Sequence, residues 1–306
     1  MSRIRLAAVA LLAGPLLVGT PAARAADAGC VALAQRWAAG RDTLAAMQVN
    51  ALLLRASDLG CTDPVAAMLD GGVPLEAADR VGNTALIHAA RAGRVDLVRL
   101  LLARGADLGH RNANGATALF SAAERDRPQV ALLLLDRGAA PDTPGRSGAT
   151  PLAAAAFNAD DAIVAALLAR HADPRTPDRT GKPPIVYAAA RASVPIVDRL
   201  LAAGIDVNAR YAHDLTALMW AAGYADAARD ADGTALVRDL LDRGAHVDDA
   251  DDRGRTALMI AAGRGHADVA KLLLAHGADP ARRDRSGRTA ADLAADDAVR
   301  MVLTHG

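Results

Sequence analysis

The sequence predicts an all-α solenoid of stacked helix-turn-helix units. The stretches "TALMWAAGYADAARDADGTALVRDLLDRGA" (216–245) and "TALMIAAGRGHADVAKLLLAHGA" (256–278) open and close alike, although the first carries seven more residues. Aligned on one position, Thr84, Thr117, Thr150, Pro183, Thr216, Thr256 and Thr289 are 33 residues apart at every step but one, which is 40. A second marker, Gly72, Gly105, Gly138, His171, Gly204, Gly244 and Gly277, repeats those steps with the same exception. Self-similarity at this spacing marks a stacked-repeat protein. Composition agrees, because a chain that is 52% hydrophobic but 2% aromatic, rich in Ala and Leu, suits many thin helices. Alternating β-branched runs that would build a large sheet are missing.

The first segment, residues 1–25, has the form of an export signal. Arg3 and Arg5 precede the apolar run "LAAVALLAGPLLVG", and Ala23 and Ala25 supply an A-x-A cleavage pattern. Broken by Gly14 and Pro15, the run is too short to cross a bilayer as a helix. Cleavage is expected between Ala25 and Ala26, which places the mature chain in the periplasm with no membrane span. Loss of Arg3, Arg5 and Arg24 leaves 32 basic against 35 acidic residues, a mature charge of −3. A nearly neutral chain gives no sign of a nucleic-acid binder.

Residues 26–49 read as a helical cap of one or two helices, with Trp37 packed on the stack. The chain has only two cysteines, Cys30 and Cys61. In an oxidising compartment they are expected to pair and staple the cap to the first repeat. Closing a loop of about thirty residues stabilises by roughly 3 kcal/mol.

The repeats occupy residues 50–306. In "DRVGNTALIHAARAGRVDLVRLLLARGAD" a turn at Gly82 tolerates positive φ, and Thr84 is expected to cap a helix by accepting a backbone N–H. Pro151 suits a first helical position. The pairs Ala89-Ala90, Ala122-Ala123, Ala155-Ala156, Ala188-Ala189, Ala221-Ala222 and Ala261-Ala262 let helices approach closely. Leu101-Leu102 and their equivalents form the apolar stripe of a second helix, closed at Gly105 by a left-handed residue. Residues 50–79 keep this register without the threonine, and "TAADLAADDAVRMVLTHG" reads as a truncated end cap.

These residues resemble the ankyrin repeat, through D-x-x-G-x-T-[AP]-L…A-A…L-L-x-x-G-A-D over most of the chain. The family usually has His three residues after the threonine. Ile87, Phe120, Ala153, Val186, Met219 and Met259 stand there instead, so apolar packing must replace that hydrogen-bonded side chain. The resemblance implies helix pairs joined by β-turn or hairpin loops, and binding through the turn tips and the inner end of each first helix.

Those surfaces fall four, three and one residue before the threonine register and seven and eight after it. Over six repeats this makes thirty positions, of which ten are basic: Arg80, Arg91, Arg125, Arg146, Arg179, Lys182, Arg191, Arg253, Arg255 and Arg264. Two are acidic, Glu124 and Asp252, where the chain average of 35 in 306 gives three to four of each sign. The reading is a basic groove for an acidic partner, because guanidinium groups bind carboxylates bidentately and steer association. Arg suiting an exposed turn after Asp is the alternative. Phe157, Asn158 and Tyr224 are the candidate less polar contacts.

The seven extra residues fall after Tyr224, in the connection between two helices, where insertions cost little closure entropy. Partner contact, a neutral insertion and a faint calcium-loop pattern (Asp226, Asp230, Asp232) are the readings of that segment. Trp220 beside it reads as inter-repeat packing. No nucleophile elbow, phosphate loop, dinucleotide fingerprint or zinc spacing occurs in the sequence, and the eight histidines are scattered. The expected function is therefore non-enzymatic, without cofactor: a monomeric periplasmic module that binds another exported protein. By resemblance to bacterial relatives, it is an accessory factor of an oxidative-stress enzyme such as catalase. An immunity protein neutralising a secreted effector is the alternative, and a ligand-binding protein or enzyme is third.

Overall fold

The computed structural model describes residues 21–223 and 230–305. Helix α1 (Pro21–Gly40) precedes eight helix pairs. They are α2 (Ala46–Leu59) with α3 (Thr62–Asp70), α4 (Ala85–Ala92) with α5 (Val95–Ala103), and α6 (Ala118–Glu124) with α7 (Pro128–Asp136). Next come α8 (Pro151–Asn158) with α9 (Asp161–Ala169), α10 (Pro184–Ala190) with α11 (Val194–Ala202), and α12 (Ala217–Ala222) with α13 (Asp230–Asp242). The last two pairs are α14 (Ala257–Arg264) with α15 (Ala267–Ala275) and α16 (Ala290–Leu293) with α17 (Asp297–His305). Even-numbered helices from α2 to α16 pack as one row, odd-numbered helices from α3 to α17 as a second. Among the described residues the only β pairing is an isolated bridge between Ala78 and Thr84, and no helix is long and apolar enough to cross a membrane.

The inner row packs through its alanines. Ala89, Ala90, Ala122, Ala123, Ala155, Ala156 and their later counterparts are fully buried, so adjacent inner helices meet backbone to backbone. The residues in place of the family histidine, Ile87 through Met259, are all buried as well, so apolar contact fills that space. Leu97, Leu101, Leu134, Leu167, Leu200, Leu240 and Leu273 seal the outer row onto the inner one.

Threonine capping holds for Thr117, Thr150, Thr216, Thr256 and Thr289, whose hydroxyls accept the N–H three residues on. Thr84 departs from the expectation: its hydroxyl is buried without a partner. Its backbone nonetheless has the capping conformation (φ −81°, ψ 171°), as does Pro183, which has no hydroxyl (φ −77°, ψ 171°). The preceding turn, not the side-chain bond, sets the start of each inner helix. His171 takes the left-handed position with φ 60°.

The N-terminal region also differs in detail. The first helix of the cap begins at Pro21, ahead of the expected 26, so Cys30 lies mid-helix, and α2 starts at Ala46 because Gln48 caps the N–H of Ala45 at 3.0 Å. Cys30 and Cys61 form a disulfide with Cα atoms 5.3 Å apart, which ties α1 to the start of α3. Trp37 is buried over Gly71, where a Cβ would lie 2.7 Å from the indole.

The insertion is not confined to a connecting loop. Tyr224 and Asp226 lie outside the described residues, but residues 230–233 are helical and lengthen α13 to 13 residues against nine in α15. Extending an existing helix adds one hydrogen bond per residue ordered, so the extra length is absorbed cheaply there. Asp230 and Asp232 therefore sit on helical backbone rather than in a calcium-type loop.

Candidate interaction groove

Five of the seven turns that precede α4 to α16 are organised by one side chain, five residues before the threonine register; Gly145 and Tyr211 hold that position in the other two. One carboxylate oxygen of Asp79 accepts the N–H groups of Val81 and Asn83, both at 2.9 Å. Asp178 does the same for Thr180 and Lys182, Asp251 for Arg253 and Arg255, and Asp284 for Ser286 and Arg288. Asn112 substitutes an amide oxygen for Asn114 and Ala116.

The second carboxylate oxygen is where the repeats diverge. His88 Nε2 meets that of Asp79 at 3.2 Å, while its Nδ1 meets Asp58 at 2.9 Å. The Tyr187 hydroxyl donates to Asp178. In the last two turns an arginine takes the place: Arg255 reaches Asp251 at 2.8 Å, and Arg288 reaches Asp284 at 2.9 Å. Burial raises the Asp178 carboxyl, but the donors Tyr187, Thr180 and the Lys182 amide outweigh it and hold it below the ordinary carboxylate range. Burial likewise raises Asp79, and bonds from Asn83, Val81 and His88 bring it down. The Tyr187 phenol is pushed up by burial and by the adjoining carboxylate.

Among the ten basic side chains this division sets apart Lys182 and Arg255. The guanidinium groups of Arg80, Arg146, Arg179, Arg253 and Arg264 are exposed and make no hydrogen bond or ion pair with another described residue. Arg125 is exposed and 4.0 Å from Glu124. Arg255 is instead spent inside its own turn, and Arg91 lies 3.5 Å from Asp58. Lys182 is released because Tyr187 satisfies Asp178; its ammonium stands 5.3 Å from the centre of the Trp220 ring, which makes Trp220 an inter-repeat packing residue. Arg191 covers the Phe157 ring at 5.8 Å. Asn158 faces inward: its amide donates to the carbonyls of Ala123 (2.9 Å) and Glu124 (3.1 Å), capping the end of α6. Arg255 and Asn158 thus spend hydrogen bonds within the fold while still lining pockets of the groove.

Phe157 is 55% exposed on the groove and meets Tyr187 edge-on, ring centres 6.1 Å apart. Between α6, α8 and α10 it walls a pocket of about 440 Å³ whose rim carries Arg146 and Lys182 and whose floor includes Ala153 and Ala154. Phe120 closes the bottom. Its ring occupies the place of a turn carboxylate: at Gly145 an added Cβ would lie 2.4 Å from that ring. The sequence marks Phe120 only as an apolar replacement of the family histidine, and it does not mark Tyr187 or His88 at all. Rarity was the available signal, since Phe120, Phe157, Tyr187 and Trp220 are four of only seven aromatic residues in the chain. A second pocket of about 490 Å³ brings Arg255 and Arg264 near Trp220 and Ile260.

Turns organised by a side chain, paired inner and outer helices and a groove lined by the turns are the features of a repeat-built binding protein. The family profile for ankyrin repeats (three copies) matches residues 23–112, 49–145, 105–178, 152–230 and 225–306, and the chain belongs to the ankyrin-repeat family. It is similar to the human ankyrin repeat domain-containing protein 63, 41% identical over 27% of this chain and 21% of that protein. A putative ankyrin repeat-containing protein of Treponema pallidum (strain Nichols) is 40% identical over 30% of this chain and 37% of its own length. Protein HOS4 of Saccharomyces cerevisiae is 59% identical over 13% of this chain and 4% of its own. The chain thus spans well under half the length of these relatives. Ankyrin-repeat proteins are in general non-enzymatic, and the repeats of this chain suggest a protein–protein interaction module.

Proposed function

We propose that this chain is an exported, non-enzymatic interaction module whose groove binds an acidic surface of another exported protein. The observation that supports the reading most directly is the set of exposed guanidinium groups, Arg80, Arg125, Arg146, Arg179, Arg253 and Arg264, in a chain without net positive charge. Such groups steer an acidic partner and bind its carboxylates bidentately, while the buried helix rows hold them in fixed register. The N-terminal segment directs the chain to the periplasm, where the mature protein begins at Ala26 and acts as a monomer. The role is that of an accessory factor to an oxidative-stress enzyme such as catalase; neutralisation of a secreted effector is the second reading.

The test is capture of partners from periplasm by the mature protein and by a variant with Arg125, Arg146, Arg179 and Arg191 changed to Ser. Slower association and a weaker salt dependence are expected, with folding little changed because these are turn or helix-end sites. Equal binding at low salt would remove the groove from the account. N-terminal sequencing that recovered Met1 or Ser2 from cytosolic protein would remove export.

A further inference from the structure

We propose that the pocket between α6, α8 and α10 anchors one aromatic side chain of an acidic segment of the partner. The inference rests on the groove reading and adds what the partner must present. Its first support is the origin of the pocket. Four residues after the threonine register, the inner helices carry His88, Ser121, Ala154, Tyr187, Trp220 and Ile260. Ala154 and its neighbour Ser121 are the smallest of that row, and Ala154 stands beside Tyr187 and Phe157, so a gap opens next to those two rings. Phe157 leaves more than half its surface exposed at the edge of that gap. An aromatic ring entering there meets Phe157 and Tyr187 at their faces or edges, the arrangement that aromatic pairs favour.

The second support is charge. This is the turn in which glycine replaces the organising carboxylate, because Phe120 fills its place at Gly145. Asp178, the nearest turn carboxylate, is fully engaged by the Thr180 and Lys182 amides, the Thr180 hydroxyl and Tyr187. Arg146 and Lys182 line the opening and Arg191 lies over the Phe157 ring, against one exposed carboxylate, Glu124. An apolar socket with a cationic rim selects an aromatic residue flanked by Asp or Glu. Apolar anchors of this kind carry most of the energy at protein interfaces, and charged rims set orientation.

Three fluorescein-labelled nonapeptides test it by fluorescence polarisation. One is acidic with a central Phe, one acidic with a central Ala, and one carries Lys at each acidic position around Phe. The full mature chain is expected to bind the acidic Phe peptide about tenfold more tightly than its Ala counterpart, and the Lys peptide not at all. Ala154→Leu, which fills the pocket, and Phe157→Ala, which removes an exposed wall, should each abolish the Phe-over-Ala preference. Salt-dependent binding of both acidic peptides should survive. Phe157→Ala keeps the test valid if the Leu variant folds poorly. Equal binding of the two acidic peptides, or a preference that survives both substitutions, overturns the anchor and leaves the basic groove standing. Tight binding of the Lys peptide overturns the acidic requirement. Absence of salt-dependent binding by either acidic peptide overturns the groove reading and the anchor together.

Discussion

Helix pair α12/α13 and its neighbour α14/α15 have matching interiors and unlike exteriors. Thr216 caps α12 through the Met219 N–H as Thr256 caps α14 through Met259, both at 3.3 Å. Ala217, Leu218, Met219, Ala221 and Ala222 are buried in one, and Ala257, Leu258, Met259, Ala261 and Ala262 in the other. Outside that layer the two part. The turn of the second is built on Asp251, clamped by Arg255, with Gly254 at φ 75°. The turn of the first has Tyr211 in place of the carboxylate, Leu215 in place of the arginine, and Asp214 at φ 59° in place of the glycine. The Tyr211 phenol is buried without a partner, and burial pushes it up to about 12, with Asp206 adding to the shift. Both turns still pass a hydrogen bond to the next repeat, from the Asp252 amide to the His213 carbonyl and from the Arg285 amide to the Arg253 carbonyl. The helix-pair interior and this inter-turn hydrogen bond thus keep the register, and turn chemistry and loop length can change around them.

If the interiors are equivalent, they should fail equally. Leu218→Ala and Leu258→Ala remove side chains that are 1% exposed, and each is expected to cost about 3 kcal/mol. Urea denaturation of the two variants checks this. A gap wider than about 1 kcal/mol would mean that the irregular exterior reaches the core.

A region remote from both pairs gives the next comparison. Cys61→Ser opens the Cys30–Cys61 bridge, which closes a 31-residue separation. The expected loss is roughly 3 kcal/mol in the chain-entropy model. Amide exchange should locate it: α1 to α3 lose protection while α12 to α15 keep theirs. Uniform loss along the stack would show that cap and repeats unfold as one unit.

The period, the helix pairs and the Ala contacts were legible in the sequence, because each depends on residues whose spacing alone places them, and the bridge because the chain has only two cysteines. The groove was only partly legible. Arg253 and Arg255 look alike as letters in a turn, yet one is outward and the other clamped to Asp251. Which cation remains outward depends on what takes the second oxygen of the turn carboxylate, and that partner can come from nine residues away, as Tyr187 does for Asp178. The groove role of Phe120 was illegible for the same reason: its effect is to exclude a side chain at Gly145, a three-dimensional consequence with no local signature.

The turn carboxylates predict a pH contrast. Asp79 and Asp178 are held below the ordinary carboxylate range in the fold, so the stability they contribute is present above that range and is lost as pH falls through their folded values. Exchange protection of the amides of Val81, Asn83, Thr180 and Lys182 should therefore decline at acid pH. The Asp214 amide, which donates to the Tyr211 carbonyl at 2.8 Å, has no carboxylate acceptor and should not follow them. NMR-detected exchange down the acid limb decides; parallel loss at Asp214 would indicate global unfolding instead.

The smallest effect tests whether the two turns are interchangeable. Asp214 and Gly254 occupy the same register with φ 59° and φ 75°, a region that costs a residue with Cβ but not glycine. Asp214→Gly removes that cost while giving the unfolded chain more freedom, so a gain of about 0.5 kcal/mol is expected. The reverse change does not mirror it. A Cβ at Gly254 would lie 3.1 Å from the Arg285 amide nitrogen, the donor that links this turn to the next. Gly254→Asp therefore adds crowding to backbone strain and should cost about 2 kcal/mol. Thermal melts of the two single variants read the asymmetry directly. Equal and opposite shifts would mean that strain alone governs the site, and that contact with Arg285 gives way without cost.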